Sequence, residues 1–162
     1  MTGVSIRRAV PEDAEIAIAI VRDTITRLCV ADHENDPLTL EPWLQNKTAD
    51  NFARWIASRD NHIVVAELDS AIGGVASLHR AGEIQLCYVA PDRQRAGIGS
   101  ALLVALEAQA KARGLQKLFL NSTSGARSFY EHNGYIPSGD PVPGFGRSLC
   151  FPYGKTIPTL PR

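Results

Sequence analysis

Hydrophobic positions change period several times along the chain, and each change predicts an element. Residues 4–8 alternate and read as a first strand. Pro11 suits the first turn of a helix, with Glu12 and Asp13 beside its positive end. Ile16, Ile20, Val21, Thr24 and Leu28 recur at helical spacing and carry that helix to residue 30. Residues 32–42 are polar and hold Pro37 and Pro42, so they read as a loop. Thr48 is placed to cap a second helix whose Phe52, Trp55 and Ile56 share one face. The period then drops to two. Residues 62–68, 71–79 and 83–89 predict an antiparallel meander, turning at Asp69-Ser70 and Ala81-Gly82. Pro91 ends its third strand. Residues 97–113 carry the clearest helical stripe, formed by Ile98, Leu102, Leu103, Leu106 and Ala110, with Gly114 placed to stop it. A strand over 115–121, a short helix over 124–133 and a last strand over 147–151 complete the order. The unit at 83–121 predicts a right-handed crossover between parallel strands. The expectation is an α/β fold with a mixed, mostly antiparallel sheet and helices on both faces, in one domain over residues 1–162.

Charge and composition narrow the partners. Lys plus Arg and Asp plus Glu each number 17, so the formal charge is zero. Nucleic-acid binders carry a basic excess, so no nucleic-acid partner is expected. At 44% apolar and 21% charged, the chain matches a folded globule and not a disordered one. Cys29, Cys87 and Cys150 are odd in number and widely spaced, which fits the reducing cytoplasm and no disulfide framework. No paired Cys/His spacing suggests a metal. No apolar run approaches the ~18 residues of a membrane span, and none after residue 8 reads as a leader.

Candidate chemistry concentrates in Gln94-Arg95-Ala96-Gly97-Ile98-Gly99-Ser100, between a strand and the long helix. The unpaired N–H groups of a helix's first turn attract anions, and glycines let phosphate oxygens approach the backbone. Arg93 and Arg95 add positive charge. A tight turn with close helix–sheet packing explains the same glycine pair. Known phosphate loops do not fit. A Walker loop needs Lys after the last glycine, where Ser100 stands. A dinucleotide fingerprint needs a third glycine where Leu102 stands, and an acid near Lys117.

Tyr88-Val89-Ala90-Pro91 followed by Gln94-x-x-Gly97-x-Gly99 resembles the coenzyme A-binding motif of the GCN5-related N-acetyltransferases (GNAT). A second family-like stretch runs from Ala126 through Arg127, Ser128, Phe129, Tyr130, Glu131, His132, Asn133 and Gly134 to Tyr135. The resemblance covers nearly the whole chain. It implies the GNAT fold, in which strands 83–89 and 115–121 run parallel and splay apart. It also implies acetyl-CoA as co-substrate without a metal, an amine acceptor, and direct attack in a ternary complex. A homodimer is the assembly common in the family.

Carried onto this sequence, the resemblance assigns roles. Gln94 opens the loop, and the main-chain N–H groups of Arg95, Ala96, Gly97, Ile98, Gly99 and Ser100 hold the pyrophosphate. Cys87, Tyr88 and Val89 pair with the pantetheine arm, and Asn121 contacts it. Arg127 and Phe129 lie near the arm or the adenosine end, with core packing the plainer role for Phe129. An N–H near Val89, at a break in strand pairing, faces the oxyanion. Tyr130 matches the tyrosine that protonates the leaving thiolate, although a packed aromatic is the alternative. Glu83 matches the general base of some branches. Gln85 lies on the same face, and a water chain is the other route.

The acceptor is expected in variable segments, residues 25–50 and 137–155. The run Asp32-His33-Glu34-Asn35-Asp36 reads as a solvated loop or as an attractor for a cationic amine. Pro37 and Trp43 break its likeness to a calcium loop. Neutral charge and no appended domain favour a small amine. A protein lysine or N-terminus, and a coenzyme A-binding module without turnover, are the alternatives.

Overall fold

Two sheets that part like a wedge form the centre of the computed structural model, which describes residues 3–158. The first sheet is antiparallel throughout, in the order β1 (Ser5–Arg8), β2 (Asn61–Leu68), β3 (Ala71–His79) and β4 (Ile84–Val89). The second holds β5 (Lys117–Ser122), β8 (Leu149–Thr156) and the two-residue β6 (Ile136–Pro137), with β7 (Val142–Pro143) also on β8. One parallel bridge, Glu83 with Phe119, joins them, and the Phe119 N–H donates to the Gly82 carbonyl at 3.1 Å. The expected parallel pair is reduced to this bridge, because β4 and β5 diverge beyond it.

Helices cover both faces. On one side lies α5 (Ile98–Ala112), whose predicted stripe is buried against Leu118, Leu120 and Tyr135. Each fully buried leucine there contributes roughly 2 kcal/mol of transfer free energy. On the other side, α1 (Ala14–Leu28) and α4 (Ala49–Ala57) bury Val21, Ile25 and Phe52 against Val65 and Val75. Thr48 caps α4, accepting from the Asn51 N–H at 3.2 Å. The entry to α1 is pinned by Asp13, which accepts from Arg7 at 2.8 and 2.9 Å and from the Val10 N–H at 2.8 Å. The Arg7 guanidinium holds this buried carboxyl below its usual range.

Residues 32–42 are not a loop. They hold the end of α2 (Val30–His33), a turn over 34–36 and most of α3 (Pro37–Gln45). The prolines misled because Pro37 is the first residue of α3, where no N–H is needed. Asp36 caps that helix from the Leu38 N–H at 3.1 Å. Burial of Thr39 and Trp43 sustains it past Pro42. Likewise β8 runs through Pro152, whose carbonyl still accepts from the Ser138 N–H at 3.0 Å, so the last strand outlasts the expected 147–151. A final short helix, α6 (Arg127–His132), follows β5.

Candidate active site

The wedge between β4 and β5 opens into a slot of about 400 Å³, closed at one end by the loop before α5. Gly97 caps α5 in the left-handed region at φ 81°, and a Cβ there would meet nothing within 4 Å. No side chain caps the helix, and the first intrahelical bond is Ala101 N–H to the Gly97 carbonyl. The N–H groups of Ile98, Gly99 and Ser100 therefore have no helical partner, and the space before them is open. Gly99 does different work. A Cβ there would lie 2.8 Å from the Phe129 ring, so this glycine lets α6 pack on α5.

The main chain of β4 supplies the slot's edge. Val89 pairs with Gly74 and Cys87 with Ala76, while the Ala90 N–H donates to the Gly73 carbonyl at 2.8 Å. In an antiparallel ladder this phasing turns the N–H and C=O of Cys87 and Val89 away from β3, towards the wedge. Those of Tyr88 are spent on β3. The Val89 carbonyl is already occupied, by the Gln94 side chain at 2.7 Å and the Thr24 hydroxyl at 3.1 Å. Its N–H is the part left to a ligand. The break in pairing is not at Val89. It lies at Gln85, the extra residue of a bulge between Ile84 and Leu86.

Tyr130 lines the slot from α6, packed edge-on to Phe129 and Tyr135 with ring centroids 5.1 and 5.8 Å away. Burial, reinforced by the Cys87 thiol, raises its phenol well above the usual value. Burial also pushes the Cys87 thiol up to about 12. Both groups stay protonated at neutral pH. Tyr135 and Tyr153 donate their hydroxyls to Glu107 at 2.8 Å and Glu131 at 2.6 Å. The Tyr130 phenol is not tied to a carboxylate in this way.

Most of the expected residues meet in this slot. Cys87, Tyr88 and Val89 stand on one wall, and Asn121, Phe129 and Tyr130 on the other. Gln94, Arg95, Gly97, Ile98, Gly99 and Ser100 close the end. Three expected residues are not among its lining. Ala96 is absent from it, and Arg127 stacks over the Phe151 ring at 4.1 Å. Glu83 opens instead onto an adjacent groove with Lys47 and Trp55, to which Gln85 also contributes. Arg93, expected to charge the loop, lies 3.7 Å from Asp69 and is not among the slot's lining.

A second chamber of about 270 Å³ adjoins the slot and shares Gln85, Leu86, Tyr88, Asn121 and Thr123 with it. Its outer wall comes from α2 and α3 and from the segment before β8. Asp32 Oδ1 accepts from the Ser124 N–H at 2.8 Å, while its Oδ2 is buried without a partner. His33 holds α2 down, its Nε2 lying 2.9 Å from the Ile25 carbonyl. Phe145 stacks on Trp43 at 5.9 Å, and the Arg147 N–H donates to Thr39 Oγ1 at 3.2 Å. Thr24 lines the slot and Lys47 the chamber, and the sequence reading singled out neither as a site residue. Thr24 carried a signal, as a hydroxyl within an apolar stripe; Lys47 carried none.

A family model described as an acetyltransferase (GNAT) domain matches residues 21–150. The chain belongs to the GNAT acetyltransferase family. Solved structures agree across nearly its full length. It is similar to the GCN5-related N-acetyltransferase described as aminotransferase class-II from Rhodopseudomonas palustris, at 27% identity and TM-score 0.85, covering 97% of this chain and 98% of that one. The PaiA N-acetyltransferase of Thermoplasma acidophilum, solved with coenzyme A, matches at 23% identity and TM-score 0.81, covering 95% and 99%. The yncA protein of Salmonella typhimurium, solved with acetyl-CoA, matches at 21% and 0.73, covering 99% and 97%. Among the described residues of this GNAT protein, no helix is long and apolar enough to cross a membrane.

Proposed function

We propose that this GNAT acetyltransferase transfers the acetyl group of acetyl-CoA to the primary amine of a small molecule, by direct attack with both bound. One observation carries the reading: an uncapped helix start, with open space before Gly97, lies at the end of a slot whose edge offers unpaired main-chain groups. That combination fits a diphosphate joined to an amide-bearing arm.

Acetyl-CoA supplies an activated thioester carbonyl. The residues of the chain do the rest. The N–H groups of Ile98, Gly99 and Ser100 hold the diphosphate. Cys87 and the Val89 N–H pair with the arm as a strand would, and the same N–H edge steadies negative charge on the carbonyl oxygen. Asn121 contacts the arm from the opposite wall. The Tyr130 phenol, kept protonated by burial, gives its proton to the departing sulfur. The amine's proton leaves by water along Gln85 towards Glu83, since Gln85 lines both spaces.

Asp32 attracts the acceptor, through the oxygen that has no partner. The chamber volume of about 270 Å³ is below the ~300 Å³ where ligand pockets usually begin. Its roof, fastened to α3 through Thr39, favours a small acceptor over a protein chain. Tyr130 in the slot favours turnover over binding alone. The three free cysteines suit the reducing cytoplasm.

Free-thiol release from acetyl-CoA, measured across a panel of primary amines, tests the proposal. Amine-dependent release is expected. Binding of acetyl-CoA by calorimetry without release by any amine would leave a binding module and refute it.

A further inference from the structure

The second chamber carries charge of both signs at separate places. Asp32 holds the buried, unpartnered Oδ2 beside the end of β5, where the chamber meets the slot. Lys47 supplies the cation. It is only 8% exposed, yet no carboxylate of the described residues pairs with it. Its ammonium donates to two neutral acceptors, the Trp43 carbonyl at 3.2 Å and Asn46 Oδ1 at 2.7 Å. An ammonium has three donors, so one remains. The Phe145 ring lies 5.6 Å from the nitrogen.

A second cation, the exposed Arg22, lies nearby. Arg22 donates to the Leu44 carbonyl at 2.8 Å and the Lys47 carbonyl at 2.9 Å, again to neutral groups. Burial and then the Arg22 charge both lower the Lys47 pKa. A buried charge without a counter-ion is costly, and an anion supplied from outside relieves the cost. Asp32 in the chamber and Glu83 in the adjoining groove do not supply it, because neither pairs with Lys47.

We infer that the acceptor is a small zwitterion: a primary amine that also carries a carboxylate, with the amine at Asp32 and the carboxylate at Lys47. The inference rests on the acetyl-transfer reading and narrows it, since a polyamine or plain alkylamine would leave Lys47 uncompensated. During transfer the amine nitrogen bonds to the acetyl carbon and the carbon–sulfur bond breaks. The bound ammonium first gives one proton to water; after attack the nitrogen releases a second, the sulfur takes the Tyr130 proton, and the released proton returns through water to Tyr130. The carboxylate takes no part and serves only to hold the acceptor in place.

Matched pairs decide it: amino acids against their amides, and ω-amino acids against alkylamines of equal length. Thiol release gives kcat/KM, and calorimetric titration into protein with coenzyme A gives affinity. A charge-assisted hydrogen bond contributes ~1.5–3 kcal/mol, so the wild-type protein should prefer the carboxylate member about 10- to 100-fold, mainly through KM. Lys47→Met should bring that ratio towards one. The wild-type comparison stands even if the variant fails to fold. Equal or better use of the amides and alkylamines would overturn the inference and leave acetyl transfer intact. Absence of thiol release with every amine, despite acetyl-CoA binding, would remove both.

Discussion

The slot and the chamber beside it are built from different materials. The slot is made mostly of main chain: an uncapped helix start, a strand edge phased by its ladder, and a glycine with open space before it. The chamber is made of side chains that α2, α3 and the segment before β8 bring together from distant parts of the chain. A main-chain site demands glycine and helix-start signals at fixed short spacings, and these are written locally. A side-chain site demands only that its pieces meet after folding. The first kind serves a ligand whose recognised parts do not change; the second can alter its ligand without disturbing the fold.

Replacing one slot side chain should have the largest effect. Tyr130→Phe removes the proposed proton donor and should lower kcat about 100-fold, with acetyl-CoA affinity nearly unchanged by calorimetry. An unchanged kcat would reduce Tyr130 to packing. Gly99→Ala should act on stability instead. Its methyl would meet the Phe129 ring at 2.8 Å, and overpacking of this kind costs roughly 1–3 kcal/mol, measurable by urea denaturation. A variant as stable as wild type would mean that α6 yields freely.

The chamber should respond in KM. Asp32→Asn keeps an oxygen for the Ser124 N–H but removes the charge, so KM for the amine should rise about 10-fold with kcat little altered. No change would place the acceptor elsewhere. The smallest effect expected is an absence. A phenol raised above its usual value of about 10 stays protonated to higher pH, so Tyr130 should cause no alkaline loss of rate below pH ~10. A decline centred near pH 8 would assign proton donation to another group.

The same contrast explains what was legible beforehand. The stripe from Ile98 to Ala110, the meander and the glycine loop were readable because each is a local pattern with a physical period. The register break was misplaced at Val89, since composition does not mark which residue of a strand is extra; the bulge falls at Gln85. Residues 32–42 were misread because proline at a helix start resembles proline in a loop, and burial of Thr39 and Trp43 settles the matter only in three dimensions. Glu83 matched by spacing, yet it sits at the bridge where the two sheets still meet and lines the neighbouring groove. Lys47 was invisible, because nothing in a sequence distinguishes a buried lysine from a solvated one.

The lone bridge between Glu83 and Phe119 has a mechanical consequence. Among the described residues no ladder rung past it spans the two sheets, so the gap has the form of a pair of jaws joined at one end. Spreading those jaws breaks no rung within either sheet. Thr24 clips α1 to the Val89 carbonyl, at the end of β4 far from the bridge, so any such spreading would be felt by the helix that also seats α2.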